Sequence, residues 1–339
     1  MNTEREVILR IARSMPPTTK HINDVFHSDS EIIDIGGRRY LFTIDSYTDE
    51  DHFRTDDPYL LGRNLCVCTI SDILASGGTL LFFAHSVTVP ENWDIEYVGM
   101  LSDGISDVIK SCQGFFAGGD LGSSSHWNFT GVAFGEAERV VTRKGARPGD
   151  LVYVSGPVGA GNFEAAFHFC GGNPELGELF DNHRVEFPLR IAESKLMSEY
   201  ASACIDTSDG LLNALITLAD INAIGFAVTS VPYYPPGMTL TDLLGLPVEL
   251  LMAGECGEYE LLFTVPPERE QDMVREAQNH QIQLYHIGRM TEPGNAMVMS
   301  ADQGIDVRDF DVSARNYRDH REYVAMLTEY LMNKKQPGR

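Results

Sequence analysis

Acidic residues recur along this chain in short settings that suit a cation better than they suit packing. The settings are Thr43-Ile44-Asp45, Ser71-Asp72, Gly118-Gly119-Asp120, Asp206-Thr207-Ser208-Asp209-Gly210 and Gly257-Glu258-Tyr259-Glu260. Four of them place an Asp at or beside an apolar run, as in Arg39-Tyr40-Leu41-Phe42-Thr43-Ile44-Asp45 and Gly114-Phe115-Phe116-Ala117-Gly118-Gly119-Asp120. A lone buried carboxylate is strongly disfavoured unless it is paired or binds a cation. Several that converge would make a hard-cation site, and Mg²⁺ is usually held by a few carboxylates together with the phosphates of a nucleotide. The residue types therefore point to a Mg-nucleotide enzyme.

Each motif also has a plainer reading. Asp209-Gly210 suits a turn or a helix cap, and Ser208 suits the N-cap of a following helix. That cap is compatible with phosphate contact, because helix N-termini bind anions. Gly118-Gly119 reads equally as a tight turn. Arg143 alone would be a solvated linker residue and His52 an ordinary histidine. The Phe82-Phe83 and Phe115-Phe116 pairs are expected in the core.

The elements that must position these acids follow from the spacing of apolar residues. Arg39 to Asp45, Leu80 to Val89 and Trp127 to Phe134 are rich in aromatic and β-branched residues and read as strands. Tyr59 to Ser76 and Ile95 to Ser111 carry apolar residues at helical spacing. The polar, Gly/Pro-bearing stretch Thr142-Arg143-Lys144-Gly145-Ala146-Arg147-Pro148-Gly149-Asp150 is the expected boundary. Beyond it, strands are expected at Leu151 to Ser155, Ala201 to Ile205 and Tyr259 to Val265. Helices are expected after Gly161, at Leu189 to Tyr200 and at Ser208 to Ile221. The expected division is 1–142 and 148–332, with a polar, frayed tail at 333–339.

With 339 residues, two domains are the natural prior. Acidic residues outnumber basic ones 49 to 26 for a net charge of -23, which argues against a nucleic-acid partner. The cysteines at 66, 68, 112, 170, 204 and 256 form no CxxC pair, which fits buried thiols in a reduced compartment. No run approaches a membrane span and no apolar signal core opens the chain, so a cytoplasmic protein with no membrane partner is expected.

Taken in order, these motifs resemble the thiamine-monophosphate kinase family. That family lies within the superfamily of aminoimidazole ribonucleotide synthetase, selenophosphate synthetase and a hydrogenase maturation factor. The resemblance runs from about Asp29 to His320. It is carried by Thr43 through Phe53, by Ile70-Ser71-Asp72-Ile73-Leu74-Ala75-Ser76-Gly77, by Gly118-Gly119-Asp120, by Thr142 through Asp150 and by Ile205 through Leu211. It implies an α+β, two-domain aminoimidazole-ribonucleotide-synthetase-like fold with mixed sheets and helices on one face. It also implies a homodimer formed through an N-terminal ATP- and Mg-binding domain. The implied reaction is transfer of the γ-phosphoryl of ATP to thiamine monophosphate, a small phosphorylated substrate. By position, Asp29, Asp45, Asp72, Asp120, Asp206 and Asp209 would hold Mg²⁺, with Asp45, Asp72 and Asp209 also catalytic. Gly119, Asp120, Arg143 and Ser208 would contact ATP, and His52 and Tyr317 would face the acceptor.

The chain departs from the family pattern at several positions. His27-Ser28-Asp29 stands in place of a Gly-Asp-Asp, Ile44 in place of a Thr or Ser, and Leu121-Gly122 in place of a polar pair. Glu255-Cys256-Gly257-Glu258-Tyr259-Glu260-Leu261 puts Gly257 where the family has a substrate-side Glu, and Arg318 is inserted in Asn316-Tyr317-Arg318-Asp319-His320. The nucleotide half is better kept than the acceptor half, and loss of the Glu at 257 leads to an expectation of weak thiamine-monophosphate binding. Two other classes stay open at this stage: an ATP-dependent synthetase activating a carbonyl or amide oxygen, and a nucleotide-binding protein without turnover.

Overall fold

The computed structural model describes residues 3–300 and 303–335. Its first half runs α1 (Thr3–Ser14), β1 (Glu31–Ile35), β2 (Arg38–Thr48), α2 (Pro58–Ala75), β3 (Thr79–Pro90), α3 (Ile95–Ser111), β4 (Phe115–Ser124) and β5 (Asn128–Glu136). No regular element occupies 137–150. The second half continues with β6 (Leu151–Val154), α4 (Ala160–Cys170), α5 (Pro174–Asn182), α6 (Ile191–Tyr200), β7 (Ala203–Asp206), α7 (Leu211–Asn222) and β8 (Gly225–Val228). It closes with α8 (Pro235–Leu244), α9 (Leu250–Ala253), β9 (Leu261–Val265), α10 (Pro267–Asn279), β10 (Tyr285–Thr291), β11 (Ala296–Ser300), β12 (Gln303–Asp306) and α11 (His320–Lys335).

Helix α2 shows why the first half folds as it does. The Asp57 side chain accepts from Leu60 N at 3.0 Å, and Pro58 occupies the first turn, so the start is capped. The apolar residues that follow lie all round the helix, and Leu61, Leu65, Cys66, Val67, Ile70 and Ile73 are all buried. Such a helix must be enclosed. On one side lies α3, and the two backbones meet where Gly62 and Gly104 leave no room for a Cβ. On another lies a sheet ordered β1-β2-β5-β3-β4, in which only β3 and β4 run parallel. Along β2, Leu41, Thr43 and Tyr47 turn inward, while Ile44 turns outward on the alternate face.

The second sheet is ordered β12-β11-β8-β10-β6-β9-β7. Strand β9 is buried at every position, the mark of a strand covered on both sides. Leu261, Phe263 and Val265 join a core that continues through Leu65, Phe83 and Leu41 of the first half, while Leu262 faces Leu215, Leu218 and Leu327. Helices on one face thus describe the first sheet, whereas both faces of the second are covered.

Four local expectations need correction. Phe83 is in the core, but Phe82, Phe115 and Phe116 are 47%, 68% and 53% exposed, because the outer face and β4 edge of the first sheet carry no helix. Gly118 and Gly119 lie within β4 and form no tight turn. Strand β9 begins at Leu261, two residues late, because Tyr259 takes a left-handed backbone at φ 60°. Asn333 to Lys335 form the last turn of α11 instead of a frayed tail, and 336–339 lie outside the described residues.

Candidate active site at the junction of the two sheets

Five of the expected acids converge where the two halves meet. Asp29 precedes β1, Asp45 lies on β2, Asp72 on α2, Asp206 ends β7, and Asp209 sits in the turn before α7. Asp29, Asp72 and Asp206 each offer a carboxylate oxygen, all within 4.8 Å of one another. Neighbouring hydroxyls hold them there. Thr43 Oγ1 donates to Asp72 Oδ2 at 2.5 Å, Ser71 Oγ donates to Asp206, and Ser208 Oγ donates to Asp206 Oδ1 at 2.8 Å. Ser208 therefore does not cap α7. That role falls to Gly210, which has φ 82°.

Arg143 does more than solvate a linker: its Nε and Nη2 donate to Asp29 Oδ1 at 3.2 and 2.8 Å. The other oxygen, Asp29 Oδ2, is buried without a hydrogen-bond partner among the described residues.

The electrostatics are those of an anionic site with too little protein cation. Burial, then Asp206 and Asp29, push the Asp45 carboxyl up to about 7. Asp29 rises to about 6 through burial, with Arg143 opposing. Asp209 rises to about 6 through burial, then Glu255 and Asp206. Burial and the three neighbouring aspartates also raise Asp72 well above the usual range. Clustered oxygen donors, mutual repulsion and an orphaned carboxylate oxygen are what a hard divalent cation such as Mg²⁺ resolves, so the residues present fit that ion.

From Asp45 and Asp209 a cavity of about 650 Å³ runs toward α11, past His52, Phe169, Leu240, Glu255 and Tyr323. His52 has a left-handed backbone, φ 61°, and its Nε2 lies 2.5 Å from His320 Nδ1. Burial, His320 and His168 lower His52 to about 4, so it is neutral at pH 7. The next residue but one, Arg54, crosses to α4, where Nε donates to Glu164 Oε1 at 2.7 Å and Nη2 donates to Oε2 at 2.5 Å.

Gly257 lines the cavity, yet a Cβ there would overlap the Thr207 carbonyl oxygen, so no side chain fits at this position. Neither neighbour substitutes for one. Glu258 Oε2 accepts from Gly159 N at 2.7 Å and Oε1 from Thr207 Oγ1 at 2.7 Å, and Glu260 is forked by Arg190 at 2.7 and 2.5 Å. Glu255, two residues earlier, does reach the cavity.

Three expected residues stand elsewhere. In register, Asp45 pairs with Gly131, Gly131 with His85, and His85 with Gly119. Gly119 is thus three strands from Asp45, roughly 14 Å at the usual spacing. Asp120 aligns with Ser86 and Thr130 on the outer face, away from the other acids. Ile44 is also outward, which removes it from any metal shell. Tyr317 lies behind the cavity wall, its ring 6.2 Å from that of Tyr323.

Thr43 and Ser71 are site residues that the sequence reading passed over, although hydroxyls beside Asp45 and Asp72 were a usable signal. The Arg54–Glu164 pair, 110 positions apart, left none.

Comparison with known proteins gives a consistent result. The AIR synthase related protein N-terminal domain family matches residues 27–137 and the corresponding C-terminal domain family residues 147–299. A thiamine-monophosphate kinase of Halobacterium salinarum is 30% identical over 256 residues, 74% of this chain and 85% of that protein. The crystal structure of thiamine monophosphate kinase from Aquifex aeolicus matches with a TM-score of 0.68 at 25% identity, covering 86% of this chain and 93% of that one. A structure described as AaThiL complexed with AMPPCP and TMP shares the fold with a TM-score of 0.72 at 24% identity, covering 89% and 94%.

Proposed function

Because the chain belongs to the thiamine-monophosphate kinase family, we propose that it transfers the γ-phosphoryl group of ATP to the phosphate of thiamine monophosphate, giving thiamine diphosphate and ADP. The observation that carries this reading is the meeting of Asp29, Asp72 and Asp206 next to Asp45 and Asp209, which themselves line a cavity large enough for a small organic phosphate. Asp29, Asp45, Asp72, Asp206 and Asp209 would hold Mg²⁺, which would supply charge neutralisation for the phosphate groups, most of what phosphoryl transfer asks of a site.

The chain's own residues do the positioning. Ser71, Thr43 and Ser208 orient the carboxylates through hydrogen bonds. Arg143 keeps N–H groups beyond those given to Asp29, and a guanidinium can fork onto a nucleotide phosphate. The His52–His320 pair lines the acceptor side. Asp120 reaches a nucleotide site only if the outer face of the first sheet is covered by a second copy, so the working unit in this reading is a cytoplasmic homodimer. The apolar residues on that face, Ile44, Phe82 and Phe115, support the pairing.

The test is an assay with Mg-ATP and thiamine monophosphate, following both products. ADP and thiamine diphosphate should appear in equal amounts. ADP with free phosphate, and no thiamine diphosphate, would sink the proposal and favour a synthetase.

A further inference from the structure

We propose that Glu255 and Tyr323 select the acceptor by its amino-substituted pyrimidine, Glu255 accepting from the amino group and the Tyr323 hydroxyl donating to the adjacent ring nitrogen. The inference rests on the kinase reading above and adds how the substrate is told apart from its near analogues.

Tyr323 is only 6% exposed, on α11, and its hydroxyl, set against the Glu255 backbone N–H, donates to no acceptor among the described residues. A buried hydroxyl that donates to nothing is costly, and tyrosine hydroxyls normally find an acceptor. This one belongs to a residue that lines the cavity. Glu255 lines the same cavity, and after burial it is the strongest influence on the Tyr323 hydroxyl, raising its pKa. One Glu255 oxygen, Oε2, accepts from Ala314 N at 3.0 Å, which fixes the carboxylate against the segment before α11. Burial pushes the Glu255 pKa up, and hydrogen bonds from Ser313, Ala314 and Asn213 oppose that rise.

The result is an acceptor and a donor side by side in an otherwise largely apolar wall that includes Leu240, Leu251 and Leu327. An aminopyrimidine edge presents the complement, an N–H donor next to a ring-nitrogen acceptor. No side chain can come from position 257, since a Cβ there overlaps Thr207 O. Sites that bind a ligand's polar edge with buried partners reject analogues that leave those partners unpaired.

The experiment compares thiamine monophosphate with its 4-oxo analogue, in which the amino donor becomes a carbonyl acceptor. Wild-type enzyme should prefer the amino substrate in kcat/KM by about ten- to a hundredfold, as expected for one mismatched buried hydrogen bond. Glu255→Gln keeps the bond from Ala314 N but presents an amide. It should raise KM for thiamine monophosphate about tenfold and remove most of the preference, with KM for ATP unchanged. Tyr323→Phe should raise the same KM several-fold, roughly the worth of one hydrogen bond. An unchanged amino-to-oxo ratio in Glu255→Gln overturns the inference while the kinase reading stands. Wild-type enzyme that phosphorylates neither compound overturns both. Should Glu255→Gln fail to fold, an unchanged KM in Tyr323→Phe overturns the proposal on its own.

Discussion

The buried carboxylates of this protein are treated in two opposite ways. In the cavity wall Glu164 is forked by Arg54, and behind it Glu260 is forked by Arg190, each through two hydrogen bonds. At the junction of the sheets, Asp45, Asp72, Asp206 and Asp209 crowd together, and among the described residues none forms an ion pair with a Lys or Arg. Asp29 stands between the two, with one oxygen on Arg143 and the other without a hydrogen-bond partner among the described residues. Where the chain provides a counterion the acid is architecture; where it withholds one, the charge is left for what binds.

The difference can be broken at either end. Asp72→Asn should lower Mg-dependent turnover by more than the 10–100-fold typical of residues one layer removed from a metal. It should also raise the melting temperature of the metal-free protein, because one of several repelling groups is gone. Full activity at limiting Mg²⁺ would mean that the cluster is not the cation site.

At the paired end the sign reverses. Arg54→Met should destabilise the fold by about 3–5 kcal/mol in urea titrations, since it strands Glu164 as an uncompensated buried charge. Arg54→Met combined with Glu164→Leu should recover most of that loss. A small effect of the single change, about 1 kcal/mol or less as for a surface ion pair, would show that the pair is wet in solution.

The outer face of the first sheet supplies an intermediate case, apolar where the cluster is charged. Phe115→Glu should shift the light-scattering mass from two chains to one and lower turnover with it. A monomeric wild-type protein with full activity would separate Asp120 from the site for good.

The gentlest test is Glu258, which has no arginine and is pushed up to about 8 by burial. Its folded pKa lies above the unfolded value of 4.5, so the folded state holds a proton that the unfolded chain has lost. The associated stability is complete below about 4.5 and disappears as pH rises through about 8. Glu258→Gln should mimic the protonated carboxyl and match wild type near pH 5. It should melt higher near pH 9, and melts across that range decide the point.

How much of this could be read beforehand differs by element. The span Ile95 to Ser111 matches α3 to the residue, because its apolar spacing is local and strong. Asp29 came from the family resemblance alone, whereas Asp45, Asp72, Asp206 and Asp209 were marked by settings unsuited to packing. Glu255 and Tyr323 were not, since Glu255 reads as surface charge and Tyr323 as core, and only the meeting of α11 with the segment before β9 gives them a joint meaning. The exposed Phe82 and Phe115 were misplaced for a related reason. Hydrophobicity says that a residue will be covered, and it does not say by which chain.

That last point reaches beyond the site. A single chain leaves the ribosome with Ile44, Phe82 and Phe115 facing water on a broad strand surface, the kind of surface on which aggregation begins. Mass action then matters, because burial that depends on a second copy depends on how many copies there are. On the proposed pairing, abundant protein finds its twin quickly, whereas scarce protein keeps an adhesive face exposed for longer. Expression level and apparent thermal stability should therefore rise and fall together in this enzyme, and melting temperatures measured at different concentrations are not interchangeable.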